Sequence, residues 1–255
     1  MLVDFQLNNS VPIINMKNAI CLITNKPANI FLEFLNTFTK YDVFIIIDDN
    51  SKKYNLEHLF PRLKIIQMPN FVCERVGIKN INAITLKKSV SGWDKAICYF
   101  AIYNATYKNV WFVEDDVFFN NEETMVEIDK KYINADLLCN SDLTFAKNRE
   151  DWLWRIIDIN MPPPYVCGMM CACRMSRTMI SSLKNYADKN KTLFFLEALF
   201  PTIALHNSLS CLQPKELLTI THRNEWDIDT LTGNNLYHPM KKIEDHLVVR
   251  ARLSC

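Results

Sequence analysis

The chain has 255 residues, 49% of them hydrophobic, and its 29 Lys+Arg against 28 Asp+Glu leave a formal net charge of +1. That size and apolar content suit one globular core, and the balanced charge offers no basic stripe for nucleic acid or an anionic membrane surface. No apolar run approaches the roughly 18–20 residues that span a bilayer, and MLVDFQLNNSVPIINMK at the start carries Asp4 early and no basic-then-apolar signal pattern, so a cytoplasmic location is expected.

In chain order, NAICLIT (18–24) reads as a short apolar strand. Pro27 then stands where a helix can begin, and Ile30, Phe31, Phe34, Leu35 and Phe38 recur at helical spacing over 28–39. YDVFIIID (41–48) is a continuous apolar run of the kind buried on both faces of a sheet, closed by the turn signal Asp48, Asp49, Asn50, Ser51. LKIIQM (63–68) predicts a third strand, and SGWDKAICYFAIYNAT (91–106) predicts a helix with Ser91 as N-cap. NVWFVEDD then returns to a strand. This alternation predicts an α/β domain with a mostly parallel sheet. The second half is less regular. Thr192 to His206 reads as a helix, and the C-terminal segment reads as polar.

Nine cysteines without framework spacing read as reduced thiols. Cys167, Cys171 and Cys173 form a C-x3-C-x-C run that does not match the usual zinc spacings, so they are expected to be small inert thiols. Only four glycines are present, at 77, 92, 168 and 233, so neither GxGxxG nor GxxxxGK[ST] exists and any nucleotide phosphates must be held by another device.

The informative stretch is KNVWFVEDDVFFNN (108–121). Glu114, Asp115 and Asp116 sit between VWFV and VFF, where burial without a cation or hydrogen bonds would cost several kcal/mol each. In open α/β sheets, ligands bind outside the carboxyl ends of the strands. Hard divalent cations prefer oxygen ligands and are held there by one or two carboxylates together with phosphates.

EDDVFF, following a strand–helix half that ends in a buried strand, resembles the DXD motif of GT-A fold glycosyltransferases in its DDDVF-type form, with Glu in place of the first acid. The resemblance covers most of the chain as ordered landmarks. It implies a single-domain αβα sandwich, with 1–120 as the nucleotide-binding half and 121–255 as the acceptor-binding half. It also implies a divalent cation, Mn²⁺ or Mg²⁺, a UDP-sugar donor and a glycan or other hydroxyl acceptor. By that likeness Asp116 is the direct metal ligand, Glu114 reaches the ion, its water or the donor ribose, and Asp115 lies between them. His238 in HPMKK is implied as a further metal ligand and Lys241 as the base that neutralises the diphosphate. Gly168 is implied to approach the sugars. Glu197, in TLFFLEALFP, is implied as the base of an inverting transfer, with Asp151 of REDWLW in reserve.

In the nucleoside half, Thr24, Asp48, Asp49, Asp94 and Lys95 stand at strand ends or just before the acidic strand and are candidate contacts for base, ribose or phosphate. Trp152, Trp154 and Trp226 are candidate stacking platforms for the acceptor. Two alternatives remain open at this point. A sugar-nucleotide pyrophosphorylase shares the architecture but opens with a Gly-rich loop after the first strand, which is missing. A non-catalytic, degenerate glycan or nucleotide-sugar binder would retain the aromatics and some of the acids.

Overall fold

A computed structural model describes residues 17–141, 145–146 and 152–254. The first half contains β1 (Ala19–Thr24), α1 (Asn29–Asn36), β2 (Asp42–Ile47), β3 (Leu63–Gln67), α2 (Asn70–Arg75), α3 (Gly92–Cys98) and β4 (Asn109–Glu114), the predicted elements with the short helix α2 added. Ser91 does precede α3, whose end passes into a π-helical turn over Tyr99–Tyr103. After β4 come α4 (Glu122–Lys131), β5 (Leu137–Asn140), the short pair β6 (Phe145–Ala146) and β7 (Tyr165–Val166), and β8 (Met169–Ser176). The chain closes with α5 (Arg177–Asn190), α6 (Leu196–His206), β9 (Cys211–Leu212) and α7 (Ile243–Leu253).

Seven strands form one sheet in the order β3-β2-β1-β4-β8-β5-β9. Only β8 runs against its neighbours; the β3–β2, β2–β1, β1–β4 and β5–β9 pairs are parallel. The sheet is buried on both faces, which explains the unbroken apolar runs of β1 and β2. On one face Cys21, Phe44, Phe112 and Met175 pack with α3, α5 and α6 through Ile97, Leu183 and Phe200. On the other, Leu22, Ile45, Trp111 and Val113 pack with α1 and α4 through Leu32, Leu35, Met125 and Ile128. Burial of each such large side chain stabilises by about 1.5–3 kcal/mol. The architecture is therefore a three-layered αβα arrangement around a mixed, mostly parallel sheet, as expected.

The second half adds to or departs from the expectation at three places. The segment around Gly168 leads into a central strand, β8, inserted between β4 and β5. The helix expected from Thr192 begins only at Leu196, because Leu193 and Leu196 donate their N–H groups to the carbonyls of Lys79 and Ile81. The C-terminal segment contains α7, which buries His246 and Val249 against Phe118, Tyr237 and Met240. No helix among the described residues is long and apolar enough to cross a membrane.

Candidate active site

The strand order reverses at β1, whose chain continues to β2 on one side and later to β4 on the other. That crossover point is where open α/β sheets leave a crevice beyond their carboxyl ends. The register aligns Thr24 with Ile47 and Ile23 with Glu114, so Thr24, Asp48 and the three acids emerge along one edge. A cavity of about 210 Å³ opens there, lined by Thr24, Asp48, Trp93, Glu114, Asp115 and Asp116, with Asn25, Asn82 and Ser91 at its margin.

Gly92 also lines this cavity, and it is needed for close approach. A Cβ at that position would lie 2.8 Å from Ile23 Cγ2 and 3.4 Å from Asp48 Cβ, so glycine lets α3 start against the ends of β1 and β2.

Each acid has a different environment. Glu114 Oε1 accepts a hydrogen bond from Trp93 Nε1 at 2.6 Å. Burial pushes the Glu114 carboxyl up, and the charge of Asp116 adds to that, against the opposing hydrogen bond from Trp93. Asp115 Oδ2 accepts from the Thr24 hydroxyl at 2.5 Å, a contact that bridges β1 and β4 across the crevice. Its carboxyl is also raised, again mainly by burial. Asp116 Oδ1 is buried and makes no hydrogen bond among the described residues. Three carboxylates so placed, one with an orphaned oxygen, form a site that favours a cation.

The C-terminal segment brings a group of different chemistry, the His238 imidazole, to the acids. Met240 N–H donates to the carbonyl of Asp116 at 2.7 Å, and Phe118 and Tyr237 exchange backbone hydrogen bonds at 2.9 Å. These bonds hold His238 over the acids. The His238 ring is 7% exposed. Its Nδ1 lies 2.6 Å from the carbonyl of Thr221, so Nδ1–H donates and Nε2 carries the lone pair. Nε2 lies 3.3 Å from Asp116 Oδ1 and 4.0 Å from Glu114 Oε2. Burial, the largest influence, disfavours the charged ring, but the two carboxylates outweigh it and the His238 pKa ends above its ordinary value. An outer carbonyl that fixes the tautomer and aims Nε2 at two carboxylates is the arrangement found around metal-binding histidines. Glu114, Cys171 and His238 each place one donor atom within 4.8 Å of the others.

Glu197 stands in the first turn of α6. Gly168 N–H donates to its carbonyl at 2.9 Å, which pins the loop before β8 to the helix start. The Glu197 carboxyl is pushed up to about 7, first by burial and then by the charge of Glu114, with His238 opposing. A carboxyl that senses both residues shares their electrostatic environment.

Other predicted residues are placed elsewhere. Asp94 is 0% exposed and spent on structure: it accepts from Ile81 N–H at 3.0 Å, Ser91 N–H at 2.8 Å and the Ser91 hydroxyl at 2.7 Å, closing the start of α3. Lys95 is equally buried, and its Nζ binds the Asp48 carboxylate at 2.6 Å and carbonyl at 2.7 Å. Lys95 therefore orients Asp48, which alone of the two faces the cavity. Asp49 accepts from Ser51 N–H at 2.8 Å and Tyr54 OH at 2.7 Å; these bonds hold its carboxyl down to about 2 in a local turn outside the cavity. Lys241 is exposed and lines a neighbouring cavity of about 670 Å³ with Trp226 and Arg223. Gly168 approaches the Ser141 backbone, where a Cβ would meet Ser141 Cα at 3.0 Å, so its role is packing against the end of β5. Trp154 is buried and stacked on Tyr165 at 5.5 Å. Asp151 and the side chain of Trp152 lie outside the described residues.

Sequence reasoning missed Trp93 and Cys171. Trp93 was legible as a neighbour of Asp94 in GWDKA, but its indole contact needed α3 to be set against β4. The C-x3-C-x-C spacing around Cys171 matches no usual zinc site, and its neighbours Glu114 and His238 lie 57 and 67 residues away in sequence, so local pattern does not connect them.

No protein-family model matches the chain, and no curated protein matches it. Among solved structures it is similar to galactosyltransferase LgtC in complex with donor and acceptor sugar analogs, at 9% identity and a TM-score of 0.48, over 93% of this chain and 96% of that one. It is also similar to mouse xyloside xylosyltransferase 1, at 10% identity and a TM-score of 0.41, over 87% and 97% of the two chains. A third is 4-diphosphocytidyl-2C-methyl-D-erythritol synthase from Anaerococcus prevotii, at 9% identity and a TM-score of 0.45, over 94% and 97%.

Proposed function

We propose that this protein is a metal-dependent glycosyltransferase that moves a sugar from a nucleotide sugar, a UDP-sugar in the first instance, to a hydroxyl acceptor with inversion. The observation that supports this reading is the buried Oδ1 of Asp116, which makes no hydrogen bond among the described residues and lies 3.3 Å from His238 Nε2 at the crevice beyond the carboxyl ends of β1 and β4. Asp116, His238 and Glu114 would hold Mn²⁺ or Mg²⁺, whose oxygen- and nitrogen-favouring chemistry these donors suit. When bound, the cation neutralises charge on a diphosphate leaving group.

The rest follows from the chain's own groups. Thr24 and Asp48 line the nucleoside end of the crevice, and Lys95 fixes the Asp48 carboxylate in place. Trp93 and Thr24 orient Glu114 and Asp115 by donating to them, so these carboxylates are arranged before any ligand arrives. The cavity holding Trp226 and Lys241 begins at Pro239, directly after His238, and would take the acceptor and the far side of the diphosphate. Glu197 would accept the proton of the acceptor hydroxyl at a carboxylate oxygen. A value near 7 keeps it a strong enough base while leaving much of it ionised at neutral pH.

The test is UDP-sugar turnover and Mn²⁺-dependent UDP binding in wild type and Asp116→Ala. Loss of both in a variant with unchanged circular dichroism is expected. Undiminished UDP binding in Asp116→Ala, or no UDP binding by the wild type with Mn²⁺, would remove the proposal.

A further inference from the structure

The Cys171 thiol is not needed for the chemistry proposed above, yet it occupies the same constellation. Its Sγ, a Glu114 carboxylate oxygen and a His238 nitrogen all lie within 4.8 Å of one another. A tetrahedral ion with bonds of about 2.0–2.3 Å holds its ligand atoms roughly 3.3–3.8 Å apart, so a separation at the 4.8 Å limit would have to close by about 1.0–1.5 Å to bring the three donors onto one ion. The three are set by separate supports. Trp93 holds Glu114 Oε1, leaving Oε2 toward His238. The Thr221 carbonyl fixes the His238 tautomer. Cys171 is carried by β8, the strand bonded to β4.

From this geometry we infer that Glu114, Cys171 and His238 form a sulfur–nitrogen–oxygen site selective for a thiophilic divalent cation, zinc or cobalt in class. Three protein ligands with a fourth position open is the pattern of an accessible zinc site. A hard ion such as Mn²⁺ or Mg²⁺ gains little from sulfur, whereas zinc and cobalt accept it readily. Binding converts the Cys171 thiol to a thiolate ligand, and the displaced proton leaves to solvent. His238 and Glu114 also serve the oxygen-rich site with Asp116, so the two kinds of cation compete for them. The thiol thereby gives the centre a metal preference that carboxylates alone would lack. The inference shares with the proposed function only the premise that Glu114 and His238 are ligands, and it adds Cys171 and the ion's class.

Cobalt provides a direct readout, because a thiolate bound to Co²⁺ gives a near-ultraviolet sulfur-to-metal charge-transfer band. Titration of the metal-free full chain with Co²⁺ should produce that band in wild type and not in Cys171→Ser. It should persist in Cys211→Ser, which tests the separate Cys139–Cys211 pair, whose sulfurs are 3.9 Å apart. Zn²⁺ should displace bound Mn²⁺, followed by the spin-resonance signal of the released ion. Cys171→Ser should lower Zn²⁺ affinity relative to Mn²⁺ by at least about 10-fold, since even an outer partner of a metal ligand commonly contributes 10–100-fold. A wild type without the band, a band that survives in Cys171→Ser, or an unchanged zinc-to-manganese ratio would each overturn the inference. If the band appears but UDP does not bind with Mn²⁺, the metal site stands and the transferase reading falls. If UDP binds and no band forms, the reverse holds.

Discussion

Asp129 in α4 is the strongest structural lever behind the acidic strand. Its Oδ1 accepts from Trp111 Nε1 of β4 at 3.1 Å and from Arg174 Nη1 of β8 at 3.0 Å. Its Oδ2 accepts from Tyr41 OH and Asn18 Nδ2, both at 2.6 Å. Arg174 is 0% exposed, and its other terminal nitrogen donates to the carbonyls of Tyr132 and Ala135 at 2.7 and 2.8 Å. Asp129→Asn keeps the shape but removes the negative charge facing a guanidinium that cannot reach water. Breaking one partner of such a buried pair costs about 3–5 kcal/mol. At roughly 2–4 °C per kcal/mol for a chain of this size, Tm should fall by about 6–20 °C. The assay is thermal unfolding by circular dichroism, supported by urea titration. Arg174→Met removes the cation and leaves Asp129 three neutral donors, so the double variant Asp129→Asn with Arg174→Met should be more stable than the sum of the single losses predicts, by about 1–3 kcal/mol. A Tm loss under about 3 °C in Asp129→Asn, or simple additivity in the double variant, would refute the account of a coupled buried pair.

Three further outcomes are expected. Glu197→Gln should lower the transfer rate by about 10²–10⁴ while donor binding persists. In wild type the rate should rise with pH through about 7, because only the ionised carboxyl accepts a proton, and the Gln variant should lose that limb. Gly92→Ala should lower stability by about 1–3 kcal/mol in urea titrations, because the new methyl meets Ile23 Cγ2 at 2.8 Å; a neutral result would show that α3 shifts freely. His246 is buried between Phe31 and Phe118, at ring distances of 4.8 and 5.6 Å, and burial pushes its pKa down to about 4. The unfolded chain, near the usual ~6.5, then binds the proton more readily than the folded one, so stability is full above about 6.5 and falls as pH drops. About 2 kcal/mol should be lost by pH 5 relative to neutrality, and His246→Phe should remove that part of the loss; equal acid sensitivity in the variant would contradict the assignment.

Much of the first half was legible because its signals are local. β1 and β2 are buried on both faces, so their apolar runs are continuous, and Ser91 marks the start of α3 as its N-cap. β8 was not legible, since MMCACRMS holds a buried arginine whose charge is compensated by Asp129, 45 residues earlier. The polar pattern of IEDHLVVRARL likewise concealed α7, which buries a narrow stripe through His246 and Val249. Among the candidate site residues, Asp49 and Asp94 carry the right chemistry at the right strand ends. Their carboxylates are consumed by backbone and hydroxyl donors within 13 residues, for Asp94 from as far as Ile81.

The sequence by itself determined the alternating α/β plan, the carboxyl end of β4 as the place where charge gathers, and the exclusion of glycine-rich phosphate loops. Those follow from hydrophobic period and residue type, which act over a few neighbours. Only the tertiary structure decided which acids are free to act. It left Asp116 Oδ1 without a hydrogen bond among the described residues, bonded Glu114 to Trp93 and Asp115 to Thr24, and brought His238 of the C-terminal segment and Cys171 of the central strand β8 to the acids. The physical reason is that a carboxylate's role depends on what donors and charges surround it, and here those donors come from β1, α3, β8 and the C-terminal segment, brought together only when the sheet closes.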